Sequence, residues 1–272
     1  MNGREMIRRA GLTLAVCLLA VSAYAQATAA QKPARKPYEP TVGQAGKDVV
    51  WVPTSEALVE KMLDMAKVTP QDFVMDLGSG DGRTVIAAAR RGATAMGIEY
   101  NPDMVELSRR NAARENVSAR TTFVKGDLFE VDLSKATVIT MFLLPEINMK
   151  LRPKILELEP GTRVVSNSFT MEDWEDDFTE SVSDDCTSWC TAHMWIVPAK
   201  VEGAWTTPQG ELRLTQTFQK LKGTLGATPV EGRMAGDEIT LTAGKAIYTG
   251  RVNGTSIKGS VSAGGSWTAT RR

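Results

Sequence analysis

The sequence predicts an α/β fold: a doubly wound, mostly parallel sheet followed by a small antiparallel β domain. Three observations carry this. Strand-like and helix-like patterns alternate between residues 49 and 200, a glycine-rich turn joins the first strand to its helix, and helical patterns vanish after residue 201. Strands that alternate with helices must run parallel, because each helix carries the chain back across the sheet.

The 272 residues hold 32 Lys and Arg and 32 Asp and Glu, so the chain is formally neutral. No strong positive field argues for nucleic-acid binding. Arg4, Arg8 and Arg9 precede the apolar run "AGLTLAVCLLAVSAYA". A basic start, a short apolar run and a small-x-small end predict a signal peptide over 1–25. Losing it removes three Arg and one Glu and leaves 29 basic and 31 acidic residues. The same stretch reads alternatively as an uncleaved anchor. Either way, positive charge on its N-terminal side places the domain outside, periplasmic or envelope-associated. Cys17 follows Val16 inside the apolar run, so no lipidation is expected. Residues 26–48 lack apolar periodicity and are expected to be a flexible linker.

Pro53-Thr54-Ser55-Glu56 marks a helix start, with Leu58, Met62, Met65 and Ala66 at helical spacing. Then "DFVMDLG" is a strand, "RTVIAAARRG" a helix, "ATAMGIEY" a strand and "NPDMVELSRRNAARENV" a helix. "TTFVKGD" is the third strand. "ATVITMFLL" is the fourth, apolar throughout as a strand buried on both faces must be. "PEINMKLRPKILELE" is a helix interrupted or restarted near Pro153, and "TRVVSNSF" is the fifth strand. "DFTESVS" and "CTAHMWIVPA" form a hairpin with no helix between them. A parallel sheet closed by such a hairpin fits a Rossmann-like seven-stranded methyltransferase sheet better than a dehydrogenase sheet. Over 201–272, "GRMAGDEITL" and "GRVNGTSIKG" repeat at an offset of 18 residues, and Asn253-Gly254 signals a hairpin turn. This is the β domain, an antiparallel meander.

The chemistry is concentrated in "VMDLGSGDGR". Its pattern is Asp76-x-Gly78-x-Gly80-x-Gly82. A dinucleotide fingerprint, G-x-G-x-x-G, needs its third glycine one residue later. Asp76 and Asp81 would repel a pyrophosphate and welcome a ligand bearing an amino group. Glu99 ends the second strand, 17 residues past Gly82, where a carboxylate accepts from ribose hydroxyls. Asp127 and Leu128 follow the third strand, where a carboxylate and a backbone N–H suit an adenine edge. S-adenosylmethionine (SAM) has the amino group, the ribose and the adenine, and no phosphate.

These motifs, "DLGSGDGR", "GIEYNP" and "GDLFE", resemble the class I SAM-dependent methyltransferases over residues 49–200. With "VPTSEALVEKML", the Pro after the fourth strand and "GTRVVSNSF", the chain is similar to the lysine methyltransferases of the adenine nucleotide translocase and ATP synthase c-subunit, and to exported bacterial relatives. The resemblance implies SAM bound by Thr54, Asp76, Gly78, Ser79, Gly80, Asp81, Gly82, Glu99, Asn101, Asp127 and Leu128. It suggests that Trp51 closes over the methionine end and that the methyl group goes to an amine, a protein lysine first of all. Transfer is expected past the fourth strand at Phe142-Leu143-Leu144-Pro145-Glu146. There Pro145 and Glu146 are the candidate catalytic residues, Glu146 to orient or deprotonate the amine. Glu146 also reads as a first-turn helix acid. No Asn-Pro-Pro-Tyr or Asp-Pro-Pro-Tyr is present, which disfavours nucleobase or amide methylation. Two other readings of the same residues are a non-catalytic exported binding module and a small-molecule methyltransferase.

Phe129 reads either as an adenine-stacking ring or as core. Trp174, Trp189 and Trp195 read as packing or strand residues rather than a methyl-lysine cage. His193 is an ordinary strand residue, and as the single histidine it excludes multi-His zinc chemistry, so no metal is expected. Cys186 and Cys190 suit a disulfide in an oxidising compartment, while C-x-x-x-C spacing also occurs in metal sites.

Overall fold

A computed structural model describes residues 37–272, of which Glu39–Arg272 pack into one compact unit. The expected signal peptide at 1–25 lies outside the described residues. The first helix, α1 (Glu56–Met65), starts where the sequence places it, with the Ser55 hydroxyl accepting from the Leu58 N–H at 3.2 Å. Then follow β1 (Phe73–Leu77), α2 (Arg83–Arg90), β2 (Thr94–Glu99), α3 (Pro102–Arg114), β3 (Thr121–Lys125), β4 (Val138–Met141), α4 (Pro145–Ile155) and β5 (Arg163–Asn167). The hairpin is β6 (Phe178–Ser181) with β7 (Thr191–Ile196). Pro153 does not interrupt α4: the helix continues to Ile155, with the bond from position 153 to the Met149 carbonyl forgone.

The seven strands stand in the order β3-β2-β1-β4-β5-β7-β6. β1 to β5 run parallel, and β7 pairs antiparallel with β5, Val165 facing Met194. The expected Rossmann-like seven-stranded sheet is therefore present. Helices α1, α2 and α3 bury Leu58, Met62, Val85 and Val105 against one face. On the other face Leu151 and Ile155 of α4 pack with Met75, Ile139, Trp174 and Trp195. β4 is buried at all four residues. The chain order reverses between β1 and β4, which opens a crevice at their carboxyl ends.

Eight further strands, β8 (Gly203–Thr207), β9 (Gly210–Thr217), β10 (Lys220–Leu225), β11 (Thr228–Ala235), β12 (Glu238–Ala243), β13 (Ala246–Asn253), β14 (Ser256–Val261) and β15 (Ser266–Arg271), close into an antiparallel barrel. Closure leaves no exposed edge for unwanted pairing. Trp205, Leu212, Leu241, Ile257 and Trp267 fill its interior. The sequence repeat has a physical reason here. A Cβ at Gly232 would stand 2.2 Å from the Thr240 carbonyl oxygen, and one at Gly250, 18 residues on, 2.9 Å from that of Lys258. Glycine at these points lets neighbouring strands approach and coil. The barrel docks at the amino end of β5. There the Ala199 N–H donates to the Gly236 carbonyl at 2.8 Å, Gln219 donates to the Glu175 carbonyl at 2.7 Å, and Phe218 stacks on Trp174 at 5.7 Å. That is the end of the sheet opposite the crevice.

Gly232→Ala is expected to destabilise the protein by about 1–3 kcal/mol through overpacking. Urea unfolding followed by circular dichroism measures it. An unchanged midpoint would show that the strands tolerate a side chain there.

Candidate active site

The turn after β1 uses its own backbone donors internally. Gly78 and Ser79 both donate to the Ile98 carbonyl at 2.9 Å, and Gly80 donates to Glu99 Oε2 at 3.0 Å. Gly82 donates to the Ser79 carbonyl at 2.8 Å. A phosphate-binding turn needs such N–H groups aimed outward at the ligand. Here they tie the end of β1 to the end of β2 instead, so the turn is not a pyrophosphate cradle. What faces the crevice is carboxylate and glycine.

Asp76 is buried at the end of β1, and its Oδ1 accepts from the Thr140 hydroxyl of β4 at 2.6 Å. Burial pushes its pKa up to about 7, against the Thr140 hydrogen bond; nearby Asp81 and Glu99 add to the rise. Glu99 is fixed at both oxygens, Oε2 by Gly80 and Oε1 by the Asn101 N–H at 2.8 Å. Each oxygen keeps a second lone pair for a ligand hydroxyl. Asp127 Oδ1 accepts from the Phe129 N–H at 3.0 Å, and its Oδ2 pairs with Lys47. The Lys47 hydrogen bond is the main cause holding the Asp127 carboxyl below its ordinary range.

One cavity is lined by Thr54, Asp76, Gly78, Ser79, Gly80, Asp81, Glu99, Asn101, Asp127 and Leu128. Ten of the eleven residues assigned from sequence to SAM thus come together. Gly82 is the exception. It precedes α2 with φ +81°, and a Cβ there would stand 2.8 Å from both Phe123 and Ser108. Its absent side chain serves packing between helix and strand. The early third glycine is therefore a structural mark rather than a ligand contact. Two members also have tasks other than the expected ones. Asp81 is held in a fork by Arg83, at 3.0 Å from Nε and 2.6 Å from Nη2, so its charge is committed. Arg83 also donates to the Thr54 carbonyl at 2.7 Å and so ties the turn to the start of α1. The Asn101 side chain caps α3 by accepting from the Asp103 N–H. Asp76 and Glu99 are the two acids left facing the centre.

The candidate catalytic residues are not brought in. Glu146 is exposed in the first turn of α4, Pro145 is its first residue, and neither lines the cavity. The inward positions of this segment are Phe142, Leu143 and Ile147. Within α4 the buried face is Ile147, Leu151 and Ile155, and Glu146, one residue before Ile147 and off that row, turns to solvent. Phe129 is half-buried beside the core and likewise stays out of the cavity.

Residues 44–54 complete the wall from the other side. The sequence assigns 26–48 to a flexible linker, but from Thr41 the chain is folded. Gly43 donates to Trp51, Trp51 to Gln44 and Gly46 to Val49, each at 2.9 Å. Lys47 reaches Asp127 and lies over the Tyr100 ring at 5.0 Å. Trp51 sits so close over the turn that a Cβ at Gly80 would stand 2.6 Å from its Nε1. Polar composition hid this segment, because its order comes from backbone pairing and one distant carboxylate.

Cys186 and Cys190 form a disulfide. His193 lies in β7, and its Nδ1 is 2.6 Å from Asp176 Oδ2. Trp174 and Trp195 are fully buried, whereas Trp189, just before β7, is 47% exposed.

A family model described as the ANTKMT methyltransferase domain matches residues 76–178. A protein-lysine N-methyltransferase of Saccharolobus islandicus is 47% identical over 129 residues, 46% of this chain and 80% of that protein. The human lysine N-methyltransferase of the ATP synthase c-subunit is 38% identical over 128 residues, 47% of this chain. The chain spans about half of that relative's length, 54%. A crystal structure of an RNA methyltransferase from Salinibacter ruber with S-adenosyl-L-homocysteine is 47% identical, with a TM-score of 0.52, and covers 55% of this chain and 96% of that one.

Asp76→Asn removes a carboxyl whose folded pKa lies above its unfolded value near 3.8. A raised pKa means that the folded state resists ionisation. The carboxylate therefore weakens the wild type progressively as pH rises from about 4 through about 7. The stability of the Asn variant relative to wild type should grow across that window, by up to a few (~4) kcal/mol, and level off above it. Paired thermal melts from pH 4 to 8 measure this, and a pH-independent difference would refute the raised pKa.

Proposed function

The chain belongs to the family of protein-lysine N-methyltransferases that includes the adenine nucleotide translocase and ATP synthase c-subunit enzymes, and we propose that it transfers a methyl group from SAM to a lysine amine of a protein. One observation carries the cofactor: the turn spends its N–H groups on Ile98 and Glu99 while two carboxylates face the cavity. A phosphate ligand finds the Gly78, Ser79 and Gly80 donors already engaged and acids beside them. A nucleoside bearing an amino acid finds what it needs.

In this reading Asp76 takes the SAM ammonium, Glu99 the ribose hydroxyls, and Asp127 with the Leu128 N–H the adenine edge. Gly78 and Gly80 let the ligand lie against backbone. SAM supplies an electrophilic methyl on sulfur. The protein's part is alignment and exclusion of water, which Trp51, Phe142 and Leu143 serve by lining the cavity. Since Asp76 must be ionised to hold the ammonium, SAM affinity should rise as pH passes through about 7.

The lysine acceptor is favoured over RNA by the chain's lack of net positive charge. Export to the periplasm or envelope is part of the proposal. The basic and apolar start of the chain supports it, as does the Cys186–Cys190 disulfide, a bond at home in oxidising compartments.

Calorimetry with SAM tests the site. Glu99→Ala should weaken binding by ~1–3 kcal/mol, the cost of lost hydrogen bonds to a charged group, without unfolding the protein. Wild-type affinity in that variant would remove Glu99 from the site. Incubation with methyl-labelled SAM and either protein or RNA from envelope extracts tests the acceptor, and label in RNA alone would overturn the lysine reading. Export predicts a mature N-terminus at Gln26, and recovery of the intact chain in the cytosol would contradict it.

A further inference from the structure

Three aromatic side chains meet at the rim of the cavity from three different strands. Phe142 follows β4 and lines the cavity; Phe169 follows β5; Trp189 precedes β7, which runs antiparallel and so begins at the same end. Their ring centroids are 5.9 Å apart for Phe142–Phe169, 6.0 Å for Phe142–Trp189 and 5.3 Å for Phe169–Trp189. An aromatic cluster that only packed the core would be covered, yet Trp189 is 47% exposed. Its backbone is also held in an unfavourable region, φ +61°, inside the short loop closed by the Cys186–Cys190 disulfide. An exposed indole kept in a left-handed conformation by a covalent clip is a sign of use. The loop is tied to the cavity as well. The Ser168 N–H donates to the Thr191 carbonyl at 2.7 Å, and Asn167 Nδ2 donates to the hydroxyl of cavity-lining Thr54 at 3.1 Å.

The charges beside this wall are acidic. Asp184 and Asp185 directly precede the clip in the chain, Glu146 stands in the first turn of α4, and all three are exposed with no ion pair among the described residues. Aromatic faces and unpaired carboxylates together suit a cation on an apolar stem.

We propose that Phe142, Phe169 and Trp189, braced by the disulfide, form the acceptor wall along which a lysine of a basic protein segment enters the cavity. This rests on the lysine-methylation reading above. The lysine stem lies on the rings with its ammonium in reach of the acidic rim. The acidic rim draws the ammonium in; it sheds a proton to solvent as it leaves the rim for the cavity, and there the neutral nitrogen attacks the methyl carbon. A C–N bond forms, the C–S bond breaks with its electron pair staying on sulfur, and the methylated ammonium leaves along the same faces. Trp189 is a positioning residue for the acceptor and takes no part in holding SAM.

Methyl transfer from labelled SAM to poly-L-lysine, with SAM affinity measured in parallel, tests this. Trp189→Ala should raise KM for poly-L-lysine about tenfold, the size of a partly desolvated cation–π contact. SAM affinity and kcat should stay within about twofold, since the lost contact is made equally in ground and transition states. Trp189→Phe should restore most of the loss. Cys186→Ser with Cys190→Ser should shift KM in the same direction with SAM binding retained. Transfer by Trp189→Ala with wild-type KM overturns the acceptor wall and leaves the methyltransferase reading intact. A wild type that binds SAM but methylates no poly-L-lysine overturns the wall and the lysine reading together.

Discussion

The hydrogen bonds from Gly78, Ser79 and Gly80 to Ile98 and Glu99 hold the site together. They join the ends of β1 and β2 and fold the turn inward. They also fix Glu99 with its free lone pairs toward the cavity, and they engage three N–H groups that a phosphate-binding turn would aim at its ligand. The position of Asp76 follows from the same arrangement. It is buried between β2 and β4, with only Thr140 and the cavity to answer its charge. A buried carboxyl of this kind favours the empty, protonated state until a cation arrives. The site therefore trades stability of the free protein for attraction to an ammonium.

Around this centre the chain divides its labour by the ends of the sheet. The carboxyl ends of β1 and β4 and the segment 44–54 enclose the cavity, while the barrel docks at the amino end of β5. The barrel contributes no residue to the cavity lining. The antiparallel β6–β7 hairpin bridges the two regions. At its far end Trp195 packs on Trp174, which receives Phe218 of the barrel, and its near end carries the clipped loop with Trp189.

Much of this was legible in the sequence, because it depends on local patterns. Strand and helix alternation, the Ser55 cap and the hairpin after Trp174 all report on neighbours a few residues away. The ends of β1, β2 and β3 were legible for a related reason. In a parallel sheet, acids that end successive strands must stand side by side. Glu146 shows where that logic stops. Its place after β4 suggested the cavity, but the helix phase, set by burial of Ile147, Leu151 and Ile155, turned it outward.

The sequence by itself determined the Rossmann-like seven-stranded sheet, the β domain after residue 201 and the family, since each rests on periodicity or on short motifs. The tertiary structure alone decided which acids are free. Asp81 is paired with Arg83, and Asp127 with a lysine from a segment that reads as linker. It also decided what the glycines of "VMDLGSGDGR" do: Gly80 admits Trp51, while Gly82 only admits Phe123 and Ser108. And it gathered Phe142, Phe169 and Trp189 from three separate segments into one wall. Such choices turn on contacts between residues distant in the chain, and no local pattern encodes those contacts.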